Sequence, residues 1–406
     1  MFNIHTLTRF QQLETPFYYY DLNLLGKTLE SCSAASAKYN FHVHYAMKAN
    51  FNPKVLELVQ SHGFGADCVS GGEVKAAIQY GFDKSKIVFA GVGKSDKEIN
   101  EALDRDIFCF NVESVQELGI INNLAKAKNK MASVAIRINP NVDAHTHHFI
   151  TTGLEENKFG VNTWELPAVV DALKKCDSLE FLGIHFHIGS QITDMEVYKN
   201  LCIKVNELQQ WFLDNGLAIK VLNLGGGLGV DYHNPDENPI GDFESYFKVF
   251  HDNLDIKPNQ EVHFELGRAF VAQSASLISR VLYVKNGINK NFLILDAGMT
   301  ELIRPMLYQA YHEIENLSAA GRIENQESRI KNEEKNILTL DSGLFTRTKY
   351  DVVGPICEST DCFRKDVELP ESFRGDLIVI RTAGAYGEVM ASGYNLRDRV
   401  TSVYSE

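Results

Sequence analysis

No stretch of this chain reaches the roughly 18 apolar residues that a membrane-spanning helix requires. Cysteine is sparse and scattered: seven residues, at 32, 68, 109, 176, 202, 357 and 362, with no CxxC pair. An odd, dispersed set of this kind excludes a disulfide frame or a cysteine-bound zinc and reads as reduced thiols; no metal is implied. Cationic charge is in deficit, with 40 Lys plus Arg against 53 Asp plus Glu and a formal charge of −13. That balance argues against a general nucleic-acid binder or a basic membrane-surface protein. It leaves room for a small anionic ligand, because backbone N–H groups can cradle a phosphate on an acidic protein. The opening MFNIHTLTRFQQLETP has no apolar core of a secretory signal, so the cytoplasm is the expected compartment.

What is present is an ordinary globular composition, 44% hydrophobic and 23% charged over 406 residues. Such a length buries a core without staples and allows two or three domains, or fewer if one is a large barrel. Neither an internal repeat nor a low-complexity linker is visible.

Short apolar, β-branched runs alternate with helical patterns from residue 40 to about 268. The strands expected are His44–Met47, Gly65–Val69, Ile87–Ala90, Phe108–Val112, Val134–Ile138, Gly183–Ile188, Val221–Leu224 and His263–Leu266. Helices are expected near Pro53–His62, Gly72–Tyr80, Asp96–Asp104, Ser114–Lys126, Trp164–Lys174, Asp194–Asn215 and Phe243–Asn253. Ser95 with Glu98, and Ser114 with Glu117, carry the spacing of helix N-terminal caps. Strands alternating with helices imply right-handed βαβ units and a parallel sheet. Eight such strands over about 230 residues match a TIM-type (β/α)8 barrel. An open doubly wound sheet is the alternative, but its GxGxxG fingerprint is missing after the first strand.

Beyond Arg268 the pattern turns β-rich: VLYVKN, NFLILDAG, ILTLDSG, TKYDVVG and GDLIVIRTAG, separated by turn residues. These imply a separate all-β sandwich or barrel domain, which the early TPFYYYD segment could join. The expected division is a barrel over 25–270 and a β domain built from 1–24 and 271–406. Ala320–Asn336 is polar and charge-dense and reads as an exposed loop or a solvated helix face.

In such a barrel the reactive groups sit at the C-terminal ends of the strands. The ends here bring Lys48 from the first strand, Asp67 from the second, His187 and Ser190 from the sixth, Gly225, Gly226 and Gly227 from the seventh, and Glu265, Gly267 and Arg268 from the eighth. Lys48 reads either as a snorkelling cation or as a desolvated amine able to form a Schiff base. The glycines follow strand seven, where barrels often hold phosphate through backbone N–H groups. Glu265 ends a buried strand and needs a partner, either a structural Arg or a protonated pyridine nitrogen. A Schiff-base lysine, a phosphate nest and a pyridinium carboxylate together describe pyridoxal 5′-phosphate.

The segments YAMKAN, GIHFHIGSQ, LNLGGGLGVDY, FELGR, GPICESTD and GAYG, in this order, resemble the motif series of the diaminopimelate decarboxylases. These are pyridoxal-phosphate enzymes of the alanine-racemase-like fold group, and the resemblance covers essentially the whole chain. It implies a barrel plus a C-terminal β domain, and decarboxylation of meso-2,6-diaminopimelate to L-lysine and CO2. By motif match, Lys48 carries the cofactor and His187 stacks on its ring. Ser190, Gly225, Gly226, Gly227, Gly267 and the Arg268 backbone hold the phosphate, and Glu265 pairs with the ring nitrogen. Asp67 joins the cofactor-binding set. The resemblance makes Cys357 the proton donor; Arg268, Arg304, Tyr308 and Glu358 grip the distal end of the substrate, and Tyr386 lies near both. It also implies a homodimer in which Cys357 and Glu358 reach the neighbouring chain's site. The chain departs from the family pattern at Leu266, where proline is usual, and at Asn157, where serine is common.

Other readings are a decarboxylase for ornithine, arginine or carboxynorspermidine, a non-catalytic pyridoxal-phosphate protein, or a racemase. Diaminopimelate carries a second carboxylate, which calls for cationic partners such as Arg304 and Arg268. The presence of both Lys48 and Cys357 speaks against a non-catalytic protein. A racemase would need two opposed bases and less distal recognition.

Overall fold

The computed structural model describes residues 2–141, 158–319, 322 and 347–406. Asn157, the ILTLDSG run and all of the polar 320–336 segment except Arg322 lie outside the described residues. The described strands are β1 (Phe17–Tyr20), β2 (His42–Ala46), β3 (Gly65–Cys68), β4 (Ile87–Phe89), β5 (Cys109–Val112), β6 (Ala132–Asn139), β7 (Val161–Asn162), β8 (Leu179–His185), β9 (Val221–Asn223), β10 (Glu261–Leu266), β11 (Ala275–Asn286), β12 (Asn291–Leu295), β13 (Ile314–Asn316), β14 (Arg347–Val353), β15 (Cys362–Pro370), β16 (Leu377–Ile380) and β17 (Thr401–Tyr404). The chain divides into two compact units: Leu25–Val230 with Ile240–Val271, and Met1–Leu24 with Asp231–Pro239 and Ala272–Glu406.

The first unit is a closed parallel barrel. Its ring runs β2-β3-β4-β5-β6-β8-β9-β10, and β10 pairs back onto β2. The short β7 adds to β6 outside the ring. The (β/α)8 reading therefore holds, and the doubly wound alternative falls. Side chains alternate across each strand. One set packs outward against helices: the helix Phe243–Asn253 buries Phe243, Tyr246, Phe247 and Phe250, spaced for one helical face. Phe247 and Phe250 meet Phe264 of β10 edge-on at 5.0 and 4.9 Å. Burying a side chain of this size contributes about 1.5–3 kcal/mol.

Helix starts follow their caps. Ser95 and Glu98 form a reciprocal capping box at Asp96–Asp104. Ser114 caps Val115–Ala127 by accepting from the Glu117 amide, but the Glu117 carboxylate accepts instead from the Glu113 amide and pairs with Lys94. The helix Leu22–Ala37 also precedes the alternating region read from sequence; its small Ser and Ala residues dilute the apolar stripe of Leu25, Leu29 and Cys32. The sixth barrel strand also stops at His185, short of the expected Ile188: Phe186 turns to bond the Asn223 carbonyl at 2.8 Å, and 186–190 form the loop carrying His187 and Ser190.

The second unit is a mostly antiparallel sheet in the order β13-β16-β11-β12-β14-β15, with β1 on β11 and β17 on β1. The long β11 pairs with β1 and β16 through its first half and with β12 through its second, after an irregularity between Val281 and Tyr283. The TPFYYYD strand does join this sheet: Tyr18 lies opposite Leu277. The parallel pairings are β12 with β14 and β1 with β17. This unit is not purely β, since it also holds the helices Ile4–Gln12 and Arg304–Tyr308.

Candidate active site

Lys48 sits in a single 3-10 turn, Met47–Ala49, directly after β2. Its Nζ stands 3.6 Å from Oδ2 of Asp67, on the next strand of the ring. Asp67 is fully buried, and among the described residues neither of its oxygens accepts a hydrogen bond. Burial, with the charge of Glu265 behind it, pushes its carboxyl up to about 7 against the pull of Lys48.

Glu265 is also buried, yet its environment differs. Oε1 accepts from the amides of Asn111, at 3.0 Å, and Asn223, at 2.7 Å. Oε2 accepts from Nε2 of His185 at 2.9 Å. Burial alone would raise the pKa of Glu265; the charge and hydrogen bond of His185, with Lys48 behind, instead hold it well below the usual carboxylate range. One interior therefore contains a carboxylate kept ionised and one poised near neutrality.

His187 is half-buried in the loop after β8, and burial together with the charges of Lys48 and Arg137 holds its imidazole well below the ordinary value. It is thus a flat, neutral ring, with Nδ1 accepting from the Gly226 amide at 3.4 Å. Arg268 donates from Nε and one terminal nitrogen to the Ser190 hydroxyl, at 3.2 and 3.0 Å.

The glycines after β9 have a packing role that the sequence did not reveal. A Cβ on Gly225 would lie 2.1 Å from the Phe186 carbonyl, and one on Gly226 would lie 2.0 Å from the Glu265 carbonyl. The rim of the barrel closes so tightly there that only glycine fits. Gly225 and Gly227 also hold φ of +67° and +112°. Gly267 packs its Cα side toward Ala46 and Ala49, which lets the Lys48 turn lie close to the end of β10.

Cys357, Glu358, Arg304, Tyr308 and Tyr386 belong to the second unit. Cys357 is exposed, and so is Glu358, which accepts from the Tyr394 hydroxyl at 2.6 Å. Asp361 is buried and folds their loop: its carboxylate accepts from the amides of Met299 and Ile356, each at 2.7 Å. Arg304 opens the helix ending at Tyr308 and is itself buried. It donates to Nε2 of His312 at 3.0 Å and lies 5.3 Å from the Tyr232 ring centre. His312 spends its other nitrogen on the Arg381 carbonyl, so it meets Arg304 as a neutral acceptor. Among the described residues no carboxylate pairs with Arg304. Tyr386 holds a left-handed backbone, φ +57°, which is uncommon for a bulky residue and typical of strained functional positions.

A family profile described as "Pyridoxal-dependent decarboxylase, pyridoxal binding domain" matches residues 25–272. A protein of Bacteroides thetaiotaomicron called diaminopimelate decarboxylase is 52% identical over 98% of this chain and 97% of its own length. The chain belongs to the diaminopimelate decarboxylase family. Another member, from Aquifex aeolicus, is 38% identical over 98% of this chain and 88% of its own. The crystal structure of diaminopimelate decarboxylase from Helicobacter pylori complexed with L-lysine superposes with a TM-score of 0.87, at 39% identity, covering 100% of this chain and 94% of that one.

The barrel interior fits the cofactor of this family. Glu265 uses three of roughly four acceptor positions on its carboxylate, which leaves one on Oε2 for a ring N–H. Asp67 has two buried, unbonded oxygens available to a donor. Sequence reasoning missed the three residues that hold Glu265: Asn111, Asn223 and His185. The available signal was a polar residue at an inward position of an otherwise apolar strand, as in CFNV and VLN.

Proposed function

We infer that this chain is a pyridoxal-phosphate-dependent carboxy-lyase that converts meso-2,6-diaminopimelate to L-lysine and CO2, the last step of lysine biosynthesis. One observation carries the choice of substrate: the buried guanidinium of Arg304 meets only neutral groups among the described residues. A buried cation without an anion is costly, and a substrate with a second carboxylate supplies one. Ornithine and arginine would bring another cation.

Pyridoxal phosphate, when bound, supplies the electron sink that accepts the pair left behind as CO2 departs. Lys48 would hold the cofactor covalently through Nζ. Ionised Glu265 would keep a ring nitrogen protonated, with His185, Asn111 and Asn223 keeping Glu265 ionised and in place. The neutral His187 ring would stack on the cofactor, and Asp67 would offer an accepting oxygen beside Lys48. Ser190, Gly225, Gly226, Gly227, Gly267 and the Arg268 backbone would hold the phosphate. Arg304, Arg268, Tyr308 and Glu358 bind the distal end of the substrate, with Tyr386 near both.

By the family resemblance, we assign the proton that returns to the α-carbon to the Cys357 thiol. Its exposure within its own chain supports delivery to a neighbouring chain's site in a homodimer with shared active sites. All seven cysteines are free thiols, which supports a reducing, cytoplasmic setting.

The decisive experiment incubates the pure protein with pyridoxal phosphate and meso-diaminopimelate, then assays lysine and CO2, with ornithine and arginine as controls. Lysine should form from diaminopimelate alone. Faster CO2 release from ornithine or arginine would replace this reading with a diamine-forming one.

A further inference from the structure

At the opposite end of the barrel from Lys48, the first and eighth strands carry a histidine–glutamate cluster that the decarboxylation does not use. His42 begins β2 and lies in register with His263 of the parallel neighbour β10. Residues in register on adjacent strands project to one face, and Glu261, two residues before His263, shares it. The ligand-capable atoms of His42, Glu261 and His263 all lie within 4.8 Å of one another. Oε2 of Glu261 is 3.1 Å from Nε2 of His263, and the rings of His42 and His263 are 4.8 Å apart. His263 is buried, His42 half-buried and Glu261 exposed, so the cluster is anchored inside and reachable from solvent.

The inner side of the cluster fixes which nitrogen His263 presents. The Lys86 carbonyl can only accept, so Nδ1 of His44, 2.9 Å away, carries the hydrogen. Nε2 of His44 lies 2.8 Å from Nδ1 of His263, so the inner nitrogen of His263 is engaged in that relay and its Nε2 is the one turned to the Glu261 carboxylate, 3.1 Å away. A proton would suffice for the pair alone; His42 adds the third ligand that a metal ion needs. The nearby ammonium of Lys86 is turned to the Gly63 carbonyl at 3.0 Å.

We propose that His42, Glu261 and His263 form a binding site for a divalent ion of the zinc class, with water as the fourth ligand. Two imidazoles and one carboxylate are a ligand set that Zn2+ accepts in tetrahedral geometry, with ligand atoms about 3.3 Å apart for bonds near 2 Å. Glu261 and His263 already meet that spacing, and His42, half-buried, closes the remainder by a side-chain adjustment. The relay from His263 through His44 to the Lys86 carbonyl is the second layer of hydrogen bonding that metal-bound histidines characteristically have. The ion would clasp β2 to β10, the seam at which the ring of strands closes.

The test uses the cofactor-loaded enzyme, stripped with a chelator and titrated with Zn2+ by calorimetry, with bound metal counted after desalting. The wild type should bind one zinc per chain and unfold at a higher temperature when zinc is present, because an ion that binds only the folded state stabilises it. Glu261→Gln and His42→Ala should each bind zinc at least about tenfold more weakly and lose most of the thermal shift. Co2+ should give the visible bands of tetrahedral cobalt in the wild type and not in the variants. Cys357→Ser should leave zinc affinity unchanged. Wild-type affinity in either cluster variant, or loss of zinc in Cys357→Ser, would overturn the assignment.

Discussion

Glu265 and His185 face each other 2.9 Å apart inside the barrel, on strands that are not neighbours in the ring. The imidazole donates to the carboxylate and, with Asn111 and Asn223, makes ionised Glu265 tolerable where burial would otherwise protonate it. On the proposed reaction, His185 acts as a positioning residue for the cofactor ring nitrogen.

His185→Ala should lower kcat while the fold persists. Removing one partner of a buried acceptor costs about 1–3 kcal/mol, or roughly 5- to 150-fold. The cofactor's visible spectrum should shift as well, which a purely structural change elsewhere would not cause. Unaltered kcat and spectrum would remove His185 from the site.

Arg304→Met should strongly impair turnover of diaminopimelate while cofactor binding survives. Truncating a buried charge contact costs about 2–5 kcal/mol in kcat/KM. Measured kinetics that match the native enzyme would reject the distal-carboxylate role and favour a diamine-forming activity.

Lys48→Ala and Cys357→Ala should each be severely impaired as homodimers and should recover activity when mixed and allowed to exchange subunits. In a mixed dimer one site carries both lesions and the other carries none. Random exchange makes half of the dimers mixed, so about a quarter of native activity should return under two-fold symmetry. Differently tagged chains would report exchange. Proven exchange without recovery would place both residues in one site of one chain.

Stability should depend on pH through Asp67. Its native pKa is raised from 3.8 to about 7, so the folded chain holds this proton more tightly than the unfolded one. The associated stability is present below the unfolded value and is lost as pH rises through about 7. Glu265 acts in the opposite sense, with stability lost as pH falls below the ordinary carboxylate value of 4.5, so it contributes little in that window. Asp67→Asn cannot ionise and should gain on the native chain between about pH 5 and about pH 8 in urea unfolding of the cofactor-free protein. A gap between the two that does not change with pH would show that Asp67 titrates normally.

The architecture of this protein was legible in its sequence because barrel strands and helices announce themselves by local periodicity. The Gly65, Ile87 and Val221 runs begin strands where the pattern said they would, and the capping box at Ser95 forms as its spacing implies. The placement of Lys48, Glu265 and the Gly225 loop at one end of the barrel was legible for the same reason, since strand ends in a parallel barrel share one face. What only the tertiary structure decided is how these groups are charged. Asp67 and Glu265 are both carboxylates at inward positions of barrel strands, yet one is pushed toward neutrality and the other held ionised. The difference lies in partners that are remote in sequence: His185 stands 80 residues from Glu265 and Asn111 154 residues from it, whereas Asp67 has the Lys48 ion pair but no hydrogen bond among the described residues. Burial and through-space charge set a pKa, and neither is a property of the local sequence. The three-layered run of Glu261, His263 and His44 at the other end of the barrel was hidden for that reason too, because it exists only where β10 closes on β2.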